Sequence, residues 1–99
     1  MEIRKYQSYK HLYVGKNDVF LLGYKFKVTK TEFLILKFLV NTSPYPVSSQ
    51  LICEGCGTKI SEKNLRFHIS RINSKANIIT NRKLIKNIAK NGYFLNEEM

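Results

Sequence analysis

The chain is poor in acids, in cysteine and in long apolar runs, and each shortage excludes something. Two cysteines in 99 residues do not make a disulfide framework, so a reducing compartment is the default. The N-terminus, Met1-Glu2-Ile3-Arg4-Lys5, lacks the apolar core and small-residue cleavage site of a signal peptide. The longest apolar stretch, residues 33–40, is interrupted by Lys37 and is far too short to span a bilayer. A cytoplasmic protein with no membrane partner is expected. There is no internal repeat, linker or low-complexity tract, and no Gly-rich phosphate loop or pair of carboxylates placed for acid–base work. The sequence therefore predicts neither an enzyme nor a cofactor.

Acids number 7 against 17 Lys and Arg, a formal net charge of +10. Such an excess costs self-repulsion and points to a polyanionic partner. Apolar residues still make up 43% of the chain, too many for intrinsic disorder. At this length one core, and hence one domain over residues 1–99, is expected.

The charge is unevenly spread. Residues 63–96 hold Lys63, Arg66, Arg71, Lys75, Arg82, Lys83, Lys86 and Lys90 and no acid; Glu62, Glu97 and Glu98 stand at the edges. A generally basic surface would mix signs, so the clustering favours a phosphate-binding face.

Residues 6–28 read as strands. Tyr-rich residues 6–14 are followed by the turn cluster Gly15-Lys16-Asn17-Asp18. Residues 19–22 and 25–28 flank Gly23-Tyr24, a Gly-X pair suited to a tight hairpin. Lys25 and Lys27 alternate with Phe26 and Val28, as in an antiparallel sheet with one wet face. Thr29 and Glu32 then form a capping-box pattern that opens a helix over about 30–41. That helix is apolar almost all round, which marks it as central, and Pro44 and Pro46 prevent its continuation. A short second helix spans about 49–54 and a third about 62–76. In the third, Leu65, Ile69, Ile72 and Ala76 form one apolar stripe, while Lys63, Phe67, Ser70, Arg71 and Ser74 lie opposite. Residues 84–95 read as a hairpin with Asn91-Gly92 as its turn signal.

Three helices followed by a hairpin describe an α+β winged helix-turn-helix. The resemblance becomes specific at three places. Val28-Thr29-Lys30-Thr31-Glu32-Phe33, with Leu36, resembles the Leu-Thr-x-x-Glu-Phe start of the first helix in OmpR/PhoB-type response-regulator DNA-binding domains. His68-Ile69-Ser70-Arg71-Ile72 resembles the His-Ile-Ser-Arg-Leu centre of that family's recognition helix. Ile88 through Gly92-Tyr93 is similar to its Val-Arg-Gly-x-Gly-Tyr wing, and an N-terminal sheet also belongs to the family. The similarity covers residues 18–96.

There are departures. The wing arginine is Ala89 here and the next glycine is Lys90; the Leu-Arg-x-Lys-Leu end of the recognition helix is Ile72-Asn73-Ser74-Lys75-Ala76. A lysine point charge does not reproduce an arginine fork. No receiver domain precedes these residues, which leaves a stand-alone regulator or an excised effector domain.

The resemblance implies sequence-specific binding of double-stranded DNA by a transcriptional regulator, two copies together, with the third helix in the major groove. Arg71 would read a guanine edge and Phe67 a thymine methyl. Lys63, Arg66, Ser70 and Ser74 would set register on phosphates, and Lys86, Lys90 and Asn91 would lie along the minor groove. The loop over 53–61 is a candidate surface for RNA polymerase. The alternative is a winged helix whose basic face docks an acidic protein. Phe67 has a second reading too, folded back over the loop before its helix, and His68 reads as a packed, hydrogen-bonded side chain rather than a ligand. Tyr93 reads as a core anchor.

Cys53-Glu54-Gly55-Cys56-Gly57 looks like half a zinc knuckle, but zinc needs four ligands and only His11 and His68 could add to the pair. Cys56-Gly57 aligns with the family's Trp-Gly, so Cys56 also reads as a small core residue. Buried thiols, a zinc site shared between copies and a redox pair all stay open.

Overall fold

The computed structural model describes residues 7–88 and 92–97. Four strands form an antiparallel meander: β1 (Gln7–Tyr9), β2 (Leu12–Val14), β3 (Val19–Leu21) and β4 (Tyr24–Lys25). Alternation puts Leu12, Val14, Val19 and Leu21 in the core, while Tyr13 on β2 faces out. The Tyr-rich stretch before Gly15 forms two strands, because Lys10 turns the chain at φ 55° and Tyr9 pairs with Leu12, a turn that no sequence signal marks. The next hairpin turns at Leu22-Gly23 rather than Gly23-Tyr24. Both residues have positive φ, 53° and 83°, as a type I′ turn requires, and Leu21 pairs with Tyr24. Beyond β4 one further bond, from Phe26 N to Val19 O, keeps Phe26 buried between exposed Lys25 and Lys27.

Helix α1 (Lys30–Thr42) starts on the capping box: Thr29 Oγ1 accepts from the Glu32 amide (3.2 Å) and a Glu32 carboxylate oxygen from the Thr29 amide (2.9 Å). It packs on β1, β2, both other helices and the last strand, burying Ile35, Leu36, Leu39 and Val40. Each such side chain contributes about 1.5–3 kcal/mol. The helix stops at Ser43, where extended backbone leads into Pro44.

Helix α2 (Ser49–Gly55) is capped by Ser48 and buries Ile52. A Cβ on Gly55 would lie 2.7 Å from the Phe38 ring, so glycine lets the helix end against α1. Helix α3 (Glu62–Thr80) is capped by Ser61 and buries Leu65, Ile69, Ile72 and Ala76. It runs one turn past the end of its apolar stripe, with Ile79 half-buried against the core, and stops where Asn81 turns left-handed at φ 60°.

Strands β5 (Ile85–Ile88) and β6 (Gly92–Leu95) form the C-terminal hairpin. Ile88 pairs with Gly92, which puts Gly92 in the strand rather than in a turn with Asn91; residues 89–91 lie outside the described ones. Val47 bridges to Tyr93 through two backbone bonds of 2.9 and 2.8 Å, stitching the connection between α1 and α2 to β6. Tyr93 is buried. The chain end returns to the first sheet, where the Tyr9 hydroxyl donates to Glu97 at 2.6 Å. Burial and that neighbouring carboxylate push the Tyr9 phenol up to about 12.

Candidate nucleic-acid interface

Burying one stripe of α3 forces its other side outward. Lys63, Arg66, Phe67, Ser70, Arg71, Ser74 and Asn77 are all exposed. Phe67 is 56% exposed, so its ring stands in solvent and is not folded back into the core. An aromatic of this size left out of an otherwise well-filled core is available for contact.

Arg71 is held between two partners. Its guanidinium carbon lies 5.6 Å from the centre of the Phe67 ring, one helical turn back, in a cation–π contact. Its Nε lies 3.8 Å from Glu32 Oε2, an ion pair without a hydrogen bond. Among the described residues its two Nη atoms have no partner, and the side chain is 53% exposed. The fork edge needed to grip a guanine is therefore open.

Glu32 was legible in the sequence as a capping residue only. It is wholly buried, and Oε1 also receives Lys75 Nζ at 2.5 Å. Oε2 has no hydrogen-bond partner among the described residues. This carboxylate, from outside the acid-free stretch, lies beneath its middle and ties up Lys75.

Beside α3 runs β5, with Lys86 and Asn87 exposed. Between them is an open cleft of about 470 Å³ lined in part by Arg66, Ser70, Ser74, Asn77, Lys83 and Asn87. None of Asn77, Lys83 and Asn87 is among the residues singled out from sequence: Asn77 lies just past the helix end read at about 76, and no periodicity marks a loop or strand residue such as Lys83 or Asn87 as facing α3. Lys90 and Asn91 lie outside the described residues.

His68 differs from expectation: it is half-buried, its ring edge-on to Phe67 at 5.8 Å, and its Nδ1 has no hydrogen-bond partner among the described residues. Cys56 is buried, its thiol against the Thr58 carbonyl, and Cys53 is half-buried. Burial pushes the Cys53 thiol up, with Glu62, Cys56 and Glu54 adding to the effect. A thiol disfavoured as thiolate is a weaker nucleophile at neutral pH. Among the described residues no cluster of three or more metal-ligating side chains occurs, and no helix is long and apolar enough to cross a membrane.

No family model matches the sequence, and no curated protein is similar enough to count as a relative. Solved structures do match. The DNA-binding domain of the response regulator AdeR, in complex with an intercistronic region, superposes with a TM-score of 0.78 at 18% identity, over 91% of this chain and 97% of that one. The Klebsiella pneumoniae RstA DNA-binding domain, in complex with the RstA box, gives 0.73 at 20% identity, over 96% of this chain and 100% of the other. DrrB of Thermotoga maritima, an OmpR/PhoB homolog, gives 0.71 at 23%, with 93% of this chain covering 44% of DrrB. The chain has the OmpR/PhoB-type winged-helix fold.

In the terms of that fold, α3 stands at the recognition helix and β5–β6 at the wing. The departures then acquire a local meaning. Asn73, where the family pattern has an arginine, turns inward: its amide donates to Ile85 O (3.0 Å) and accepts from Ile85 N (2.8 Å). Lys75, which matches the family's lysine, is half-buried with its ammonium on Glu32.

Proposed function

We propose that this winged helix is a sequence-specific, double-stranded DNA-binding transcriptional regulator of the cytoplasm. The supporting observation is the face of α3: a charged and polar surface carrying Lys63, Arg66, Ser70, Arg71 and Ser74 around one exposed aromatic, Phe67, with a basic strand alongside. A major groove admits one helix, and its base edges are distinguishable there. Arg71 presents its open Nη edge to guanine, and Phe67 lies where it can meet thymine methyls. Lys63, Arg66, Ser70 and Ser74 bond phosphates and set register. The wing, with Lys86, Lys90 and Asn91, follows the minor groove. Proteins of this fold in complex with DNA, AdeR and RstA among them, support the reading.

Two copies bind together on direct or inverted half-sites. The surface over 53–61, which forms a cavity of about 800 Å³ with Cys53, Lys59 and Ile60 in its lining, is the candidate contact for RNA polymerase. The raised Cys53 thiol speaks against redox catalysis.

Selection of bound duplexes from a random pool tests this reading. A recovered site should bind roughly a thousandfold or more tighter than random duplex, with affinity falling steeply with salt. Equal affinity for every duplex overturns sequence-specific recognition. Binding only to acidic proteins replaces the reading with a docking role.

A further inference from the structure

We infer that Asn73 is a positioning residue that locks the wing to the recognition helix, so that the two DNA-contacting elements act as one rigid body. The inference rests on the proposed DNA-binding function. Ile85, the first residue of β5, pairs with Leu95 across the hairpin, yet both its backbone N and its O are turned to Asn73. The Asn73 side chain thus behaves as one more residue of a strand: acceptor to the amide, donor to the carbonyl, at 2.8 and 3.0 Å. Both bonds are partly buried, and a lost partner there leaves a backbone group unpaired at real cost.

The position of this clamp gives it leverage. On α3, Ser70 and Ser74 lie three residues before and one after Asn73; on β5, Lys86 and Asn87 follow Ile85 directly. Ser70, Ser74 and Asn87 line the same cleft as Asn73 itself. The width of the cleft, and with it the distance between helix and wing contacts on the backbone, is set by the amide that spans it. The opposite strand is held too, through the Val47–Tyr93 bridge, so the hairpin base is fixed on both sides. Where the family pattern has a cation at this point of the helix, this chain has a strut. One phosphate contact is given up, and the orientation of the others is fixed.

The test is a double-mutant cycle on the selected duplex, using the whole chain at a temperature where all variants are folded by circular dichroism. Asn73→Ala, Lys86→Ala and the double variant are compared in affinity and in salt slope. In the wild-type background Lys86→Ala should lower the salt slope by about one. In the Asn73→Ala background it should change neither slope nor affinity, because Lys86 is no longer held on its phosphate. Asn73→Ala alone should weaken binding about tenfold with the guanine preference retained. Additive effects overturn the inference, since independent sites add. Hydrogen exchange without DNA gives a second readout: the Ile85 amide should lose protection in Asn73→Ala while Leu65 and Ile69 keep theirs. Unchanged Ile85 protection overturns the clamp even if DNA binding stands. A protected Ile85 amide that opens on substitution, with no duplex selected, leaves the strut standing but overturns its role in DNA binding along with the DNA reading. Should Asn73→Ala not fold, Asn73→Ser, a neutral side chain too short to span both Ile85 groups, carries the same comparison.

Discussion

Lys75 Nζ sits 2.5 Å from Glu32 Oε1, joining α3 to the first turn of α1 across 43 residues of sequence. The Glu32 side chain is wholly buried while that of Lys75 is 31% exposed, and among the described residues Lys75 is the only ion-pair partner within hydrogen-bond distance of this charge with no access to water. Removing one partner of such a pair costs far more than the pair itself contributes, because the remaining charge stays buried. Lys75→Met is expected to lower stability by about 2–4 kcal/mol in urea unfolding. On DNA the same variant should leave the salt slope unchanged, since its ammonium is already engaged. A slope lower by about one would place Lys75 on a phosphate instead.

In the proposed function Arg71 is the base-reading residue. Arg71→Ala should relax preference at one position of the site and cost about 1–3 kcal/mol there, measured by competition between duplexes differing at that base pair. Arg71→Lys keeps the charge but loses the fork, and should restore affinity for random duplex without restoring the preference. Equal weakening on specific and random DNA in the alanine variant would reduce Arg71 to a phosphate contact.

Gly92 cannot take a side chain. Its φ is 103°, and a Cβ there would fall 2.0 Å from the Val47 carbonyl oxygen. Gly92→Ala should therefore break the Val47–Tyr93 bridge and cost about 3 kcal/mol or more in thermal unfolding. An alanine variant of wild-type stability would mean that the wing base can shift at little cost.

Cys53 should react slowly with thiol reagents at neutral pH, because burial and then the nearby Glu62 hold its thiol above the usual range. The sign follows from linkage: the folded state favours the protonated thiol. The stability so gained is present below the ordinary thiol pKa and is lost as pH rises through the raised one. Glu62→Gln should speed modification, and a rate equal to that of a free thiol in the wild type would contradict the raised value.

What could be read from sequence was what acts locally. The Thr29–Glu32 capping box and the α3 stripe both depend on residues three or four apart, and both are present as read. The wet and dry faces of β2 and β3 follow from alternation in the same way. Left-handed turns at the non-glycine residues Lys10 and Leu22 are announced by no local propensity, so the first turn goes unmarked and the second falls one residue before the expected Gly23-Tyr24. The end of α3 was read too early because its last turn has only the half-buried Ile79 to mark a core face. At the site, exposure of Phe67 and Arg71 follows from helix geometry, whereas the second use of Glu32 and the inward turn of Asn73 depend on partners 43 and 12 positions away. Position 73 looked like a lost contact in sequence and is a bridge in space.

The hairpin base has a consequence for how copies of this chain can meet. A two-stranded ribbon normally leaves two rows of backbone donors and acceptors open to a neighbour's strand. Here Tyr93 is occupied by Val47 on one side, and Ile85 by Asn73 on the other. Neither edge can recruit a foreign strand at that level, the base of the ribbon. If two copies bind side by side on a duplex, as proposed, this level of the ribbon can contribute side-chain contacts but no shared strand.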